Sequence, residues 1–151
     1  MKLDKRSTFG LAAAIGGSTG VRNVGDVIPL DVDRDIGAGE PLYLVVQIET
    51  TLDDTSGATA TVQFQLVSDS TETIAVDGSQ TIHWQSPVYN PADALKAGQV
   101  VAVVALPQGQ KYEKFLGFQA NVGGEALTAG KVNAFLVRDV ANWVPYAGNS
   151  W

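Results

Sequence analysis

The residues able to do chemistry are few. The chain has one histidine, His83, and no cysteine, so a thiolate nucleophile or thiolate metal site is excluded and a histidine cluster cannot form. His83 lies in Thr81-Ile82-His83-Trp84. Strand alternation there predicts that His83 faces water, opposite Ile82 and Trp84. Asp31-Val32-Asp33-Arg34-Asp35 spaces carboxylates like the start of a calcium loop, but the sixth and twelfth positions hold Ile36 and Leu42 instead of Gly and a bidentate Glu. A strand-end turn with locally paired carboxylates is the expected reading. Gly16-Gly17-Ser18-Thr19-Gly20 lacks the Gly-Lys-Ser/Thr ending of a phosphate-cradling loop. Asp53-Asp54 falls in a turn cluster, where acidic residues are common, and does not specify a glycosidase pair. Trp84, Trp143, Trp151 and the four tyrosines suit sugar stacking, yet aromatics more often anchor cores and interfaces. A carbohydrate-binding module therefore remains a second reading. No enzymatic reaction, cofactor, metal or small-molecule substrate is expected.

The elements that must position these residues read as sheet. Val, Leu, Ile and Phe supply 42 of 151 residues, enough for a core, and 25 of the 42 are β-branched Val or Ile. Leu42 to Thr50 alternates, with Leu42, Leu44, Val46 and Ile48 on one face. Ala58 to Ser68 does the same, with Val62, Phe64 and Leu66 inward and Thr61, Gln63 and Gln65 outward. Further strands are expected over Val27 to Val32, Glu72 to Val76, Ser79 to Gln85, Val100 to Leu106, Lys111 to Val122 and Lys131 to Asp139. Asp77-Gly78 predicts a two-residue hairpin turn. Asn90-Pro91, closed by Gly98, predicts one or two helical turns as a connector. Eight strands and no long amphipathic helix give an all-β, eight-stranded antiparallel jelly-roll sandwich, with an Ig-like sandwich as the alternative by strand count.

Charge divides the chain. Residues 1 to 25 carry Lys2, Lys5, Arg6 and Arg22 against Asp4, or +3, leaving −9 of the net −6 on the rest. The expected organisation is an N-terminal arm, 1–25, and a domain, 26–151. An acidic body repels phosphate backbones, so no nucleic-acid partner is expected. No apolar run is long enough for a membrane-spanning helix. The stretch Phe9 to Ile15 after Lys2, Lys5 and Arg6 is a poor secretory signal, being short, broken by Gly10 and preceded by Asp4.

Three segments, Arg34-Asp35-Ile36-Gly37-Ala38-Gly39-Glu40-Pro41-Leu42-Tyr43-Leu44-Val45-Val46, Leu106-Pro107-Gln108-Gly109 and Thr128-Ala129-Gly130-Lys131-Val132-Asn133-Ala134-Phe135-Leu136-Val137, occur in the order found in capsid cement proteins of short-tailed phages. Leu3-Asp4-Lys5 and Val67-Ser68-Asp69 are similar too, so the chain resembles that family over most of its length. The resemblance implies a jelly-roll subunit, made in the host cytoplasm, that trimerises on the outer surface of the virion. It would sit at three-fold and quasi-three-fold positions and tie major capsid proteins together. Lys2, Lys5, Arg6, Phe9, Arg22, Arg34, Trp143, Tyr146 and Trp151 are the candidate capsid or inter-subunit contacts.

Overall fold

The computed structural model describes residues 5–31, 41–54, 59–91 and 95–138. A 3-10 turn, Lys5–Ser7, leads into nine strands: β1 Thr8–Ala14, β2 Gly20–Asn23, β3 Ile28–Pro29, β4 Tyr43–Asp54, β5 Thr61–Asp69, β6 Thr81–Gln85, β7 Val100–Ala105, β8 Phe115–Gly123 and β9 Leu127–Val137. They form two antiparallel sheets, ordered β1-β9-β4-β7 and β2-β8-β5-β6, with β3 also pairing with β8.

The pairing is nested. β1 pairs with β9, β2 and β3 with β8, β4 with β7, and β5 with β6. A long antiparallel ribbon paired in this way and then rolled up brings β9 against β4 and β8 against β5, which is the jelly roll. β2 and β3 occupy successive stretches of the same partner, opposite Val122 to Gln119 and then Leu116 to Phe115, so they are one interrupted strand. The nine segments fill eight positions.

The alternation read in the sequence builds the core. Leu44, Val46 and Ile48 of β4 are buried against Val62, Phe64 and Leu66 of β5, while Leu116, Phe118, Ala120 and Val122 line β8. Phe118 stacks on Phe64 with ring centroids 5.7 Å apart and meets Phe9 of β1 at 6.1 Å. Such aromatic contacts add to the area they bury.

Four expectations need correction. The span expected as an arm, 1–25, instead contributes Thr8–Ala14 and Gly20–Asn23 as strands of the two sheets, while 1–4 lie outside the described residues. Small side chains and glycines gave this stretch no alternation to read. Glu72 to Val76 forms no strand, and Asp77-Gly78 does not close a two-residue hairpin; β5 and β6 are joined by the whole loop 70–80. That loop folds over the outer face of its sheet. Ile74 lies over Gly117, where a Cβ would sit 2.2 Å from its Cδ1, and Gln119 Nε2 donates to Ala75 O and Asn23 Oδ1, each at 2.8 Å. Gln65, expected outward, is buried too, and its Oε1 has no hydrogen-bond partner. Asp53 and Asp54 end β4 opposite Ala129 and Leu127 instead of forming a turn. The expected helical turn is present at its ends, with Leu95 N–H donating to Pro91 O and Gly98 at φ 87, while 92–94 lie outside the described residues.

Gly25, in the break between β2 and β3, lets the chain pass close against β1. At φ 72 it is left-handed, and a Cβ there would stand 2.1 Å from Phe9 O, while Asp26 N–H donates to that oxygen at 2.6 Å. Gly25→Ala is expected to cost about 3 kcal/mol or more, from left-handed strain plus a backbone clash. Gly78→Ala, at φ 96 with nothing within 4 Å of its Cβ, should cost about 1 kcal/mol from strain alone. Urea unfolding of the two variants checks the difference; equal losses would refute it.

Candidate functional site

Lys5 and Arg6 are exposed on the 3-10 turn and line an open depression shared with Asp26, Asp31 and Glu72. The depression is mixed in sign. Phe9 is a correction: as an inward residue of β1 it is fully buried against Phe118, so it cannot touch a partner. Arg22 is partly withdrawn from the surface. Its guanidinium donates to Gly16 O at 2.7 Å and to Ser18 O, stitching the turn between β1 and β2, and its Nε is buried without a partner. The charge holds the Gly16 to Gly20 turn. Lys2, Arg34, Trp143, Tyr146 and Trp151 lie outside the described residues, as does most of the candidate calcium segment after Asp31. Among the described residues, no three His, Cys, Asp or Glu side chains are placed to hold a metal ion.

His83 is a second correction. It is buried, while its neighbour Ile82 is 40% exposed. The cause is a bulge. Leu66 pairs with Trp84 but Val67 pairs with Ile82, so His83 is an extra residue on β6 and strict alternation fails at that point. Trp84 packs against the core, and His83 turns inward beside it and stacks on Tyr112 with centroids 4.0 Å apart. No sequence signal marked the bulge.

The buried imidazole joins a polar chain. Its Nε2 lies 2.7 Å from Ser68 Oγ and its Nδ1 lies 2.7 Å from Gln110 Oε1, while Glu113 N–H donates to Ser68 Oγ at 3.1 Å. An amide oxygen accepts only, so Nδ1 carries the proton and donates to Gln110, and Nε2 accepts from the Ser68 hydroxyl. Nucleophile, base and orienting group thus have the connectivity of a Ser-His-acid triad. The chemistry does not follow. Ser68 has no exposed surface, and the orienting group is a neutral amide that cannot balance an imidazolium. The chain satisfies buried polar groups and ties β5 and β6 to the loop 107–114.

Burial holds the His83 pKa below its ordinary value, against smaller opposing effects of the Gln110 hydrogen bond and the Glu113 charge. Asp69 and Asp77 are held below the usual carboxylate range, Asp69 chiefly by the Ala75 N–H and Asp77 chiefly by the Ser79 hydroxyl. The two aspartates organise the loop 70–80, Asp69 accepting from Ala75 N–H at 2.9 Å and Asp77 from Ser79 Oγ at 2.7 Å.

A depressed histidine pKa means that the unfolded chain binds the proton first on acidification. The stability contributed is full above the unfolded value near 6.5 and is lost as pH falls through it toward the folded value. The urea midpoint should therefore drop between about pH 7 and about pH 5, and His83→Gln should flatten that drop. The aspartates act below about pH 4 and leave this window alone. An unchanged slope in the variant would exclude His83 as its source.

Residues 9–136, from Phe9 in β1 to Leu136 in β9, match the protein-family model Bbp16, a family of phage proteins. No curated protein matches the chain.

Proposed function

Because the chain belongs to the Bbp16 family of phage proteins, we propose that it is a capsid cement protein, a non-enzymatic subunit that binds the outer surface of a phage shell and stabilises it. The observation that carries this reading is a phage-family match running through the whole jelly roll, from the first strand to the last. The segments resembling short-tailed-phage cement proteins add the finer assignment: trimers at three-fold and quasi-three-fold positions, with the major capsid protein as partner. A ligand that binds only the assembled shell stabilises it by mass action, and several linked copies multiply weak contacts. The carbohydrate-binding reading loses one of its aromatics, since Trp84 packs against the core instead of offering a stacking face.

The contact with the shell is partly electrostatic in this proposal. Lys5 and Arg6 stand in the basic N-terminal stretch of an otherwise acidic chain, immediately before β1. Deleting residues 1 to 25 would remove β1 and β2 and test folding instead of binding. Charge reversal avoids that.

Adding the protein to shells that lack it should raise the temperature at which they rupture, with three copies, each of 15.9 kDa, at each occupied position. Lys5→Glu combined with Arg6→Glu should weaken shell binding about tenfold at low salt and reduce its salt dependence. Failure of the unaltered protein to bind shells would refute the cement role. Equal binding by the double variant would remove these two residues from the contact.

A further inference from the structure

β1 is irregular in its middle and firmly held on either side. Phe9 near its start and Ile15 just past its end are fully buried, which pins the strand to the core. Between them the register against β9 runs from Gly10 opposite Ala134 to Ala13 opposite Val132, so Leu11 and Ala12 together face Asn133 alone. One extra residue makes this a bulge. Ala12 sits at φ 53, a left-handed conformation that alanine rarely adopts. Its N–H turns to the Asn133 side chain, whose Oδ1 accepts it at 2.7 Å. The bulge also closes tightly on itself, since a Cβ at Gly10 would stand 2.7 Å from the Ala13 Cβ.

The strained backbone presents one side chain. Leu11 is 56% exposed and is the one large residue in Gly10-Leu11-Ala12-Ala13-Ala14. A single exposed leucine on ordinary backbone needs no explanation. One carried beside a left-handed alanine and braced by the neighbouring strand does, because such strain persists only where the surroundings enforce it, and bulges re-aim side chains. The electrostatic setting is equally selective. Thr8–Ala14 and Leu127–Val137 contain no acidic residue, and Lys5 and Arg6 before β1 and Lys131 opposite Ala14 are exposed, in a chain of net charge −6. An apolar knob stands on a basic ribbon of an acidic molecule.

We propose that Leu11 is an anchor that enters an apolar socket, rimmed by acidic side chains, on the protein of the phage shell, and that Asn133 is the positioning residue that aims it. The inference rests on the cement reading and gives that contact its apolar centre. The socket's floor follows from the leucine and its acidic rim from the cations on either side of the knob. Strand addition is the alternative way to use a sheet edge, but the register shifts of β1 and the engaged Ala12 N–H break the row of donors that it requires. The side chain makes the contact instead. The glycine and alanines around it let the partner come close, and a side chain already held in place docks without the entropic cost of ordering its backbone.

Co-sedimentation with shells that lack the protein tests it. Leu11→Ala should weaken binding about tenfold at low and high salt alike, because apolar burial is not screened, whereas the loss in the Lys5→Glu, Arg6→Glu double variant fades as salt rises. The urea midpoint of Leu11→Ala should match that of the unaltered protein, since this side chain is largely exposed in the free molecule. Asn133→Ala should also weaken binding, and adding it to Leu11→Ala should cost nothing further, as expected of a residue that acts through another. Asn133→Asp keeps an oxygen acceptor for the Ala12 N–H and should bind normally at high salt, where its added charge is screened. Circular dichroism checks that each variant is folded. Additive losses from Leu11→Ala and Asn133→Ala would overturn the positioning role. Unaltered protein that binds shells, with Leu11→Ala binding equally well, would overturn the anchor alone. Unaltered protein that fails to bind would remove the cement reading and the anchor with it.

Discussion

The fold depends on the column of rings formed by Phe9, Phe118 and Phe64. Phe9 belongs to the first strand of one sheet, while Phe118 and Phe64 lie on neighbouring strands of the other, so the column fastens the start of the chain across the interior. Gly25 completes the fastening, because its missing side chain lets the break between β2 and β3 pass close to the Phe9 carbonyl. Without these contacts the first twenty-five residues would be the loose basic leader that their composition suggests. With them, the basic side chains are sorted into different roles. Arg22 is spent on a turn, and Lys5 and Arg6 are presented at the surface.

Much of this architecture is legible in the sequence where one face of a strand is wet and the other dry. β4 and β5 show that contrast, and their inward residues are the ones buried. The legibility fails where something besides burial in the sandwich decides a side chain's surroundings. β1 reads Thr-Phe-Gly-Leu-Ala-Ala-Ala, with too little contrast in size and polarity to reveal its pairing with β9. The outward side of β8 carries Gln119, which is polar yet buried because the loop 70–80 folds over it and supplies Ala75 O and Gln80 as partners. His83 looks outward in the sequence but lies inward, because one additional residue in β6 reverses the alternation. Nothing local announces such an insertion, whose effect depends on the register against β5.

The Ser68, His83 and Gln110 chain shows why connectivity alone does not define a catalyst. The distances are those of a working hydrogen-bond relay, but the hydroxyl is sealed and the relay ends on a neutral amide. Its value is structural: buried polar groups find partners, and a loop is held against the sandwich at the cost of sensitivity to protonation.

The pairing of β1 with β9 also has a consequence in time. During synthesis the first strand emerges long before the strand that must lie beside it, and β8, which holds Phe118, also comes late. The ribosome must deliver nearly the whole described chain before the roll can close. Folding through such sequence-distant pairings is slow, and the growing chain meanwhile exposes strands without neighbours. The register shifts of β1, the break between β2 and β3 and the bulge in β6 therefore serve the nascent chain as well as the finished molecule. They limit wrong partnerships until the last strand arrives.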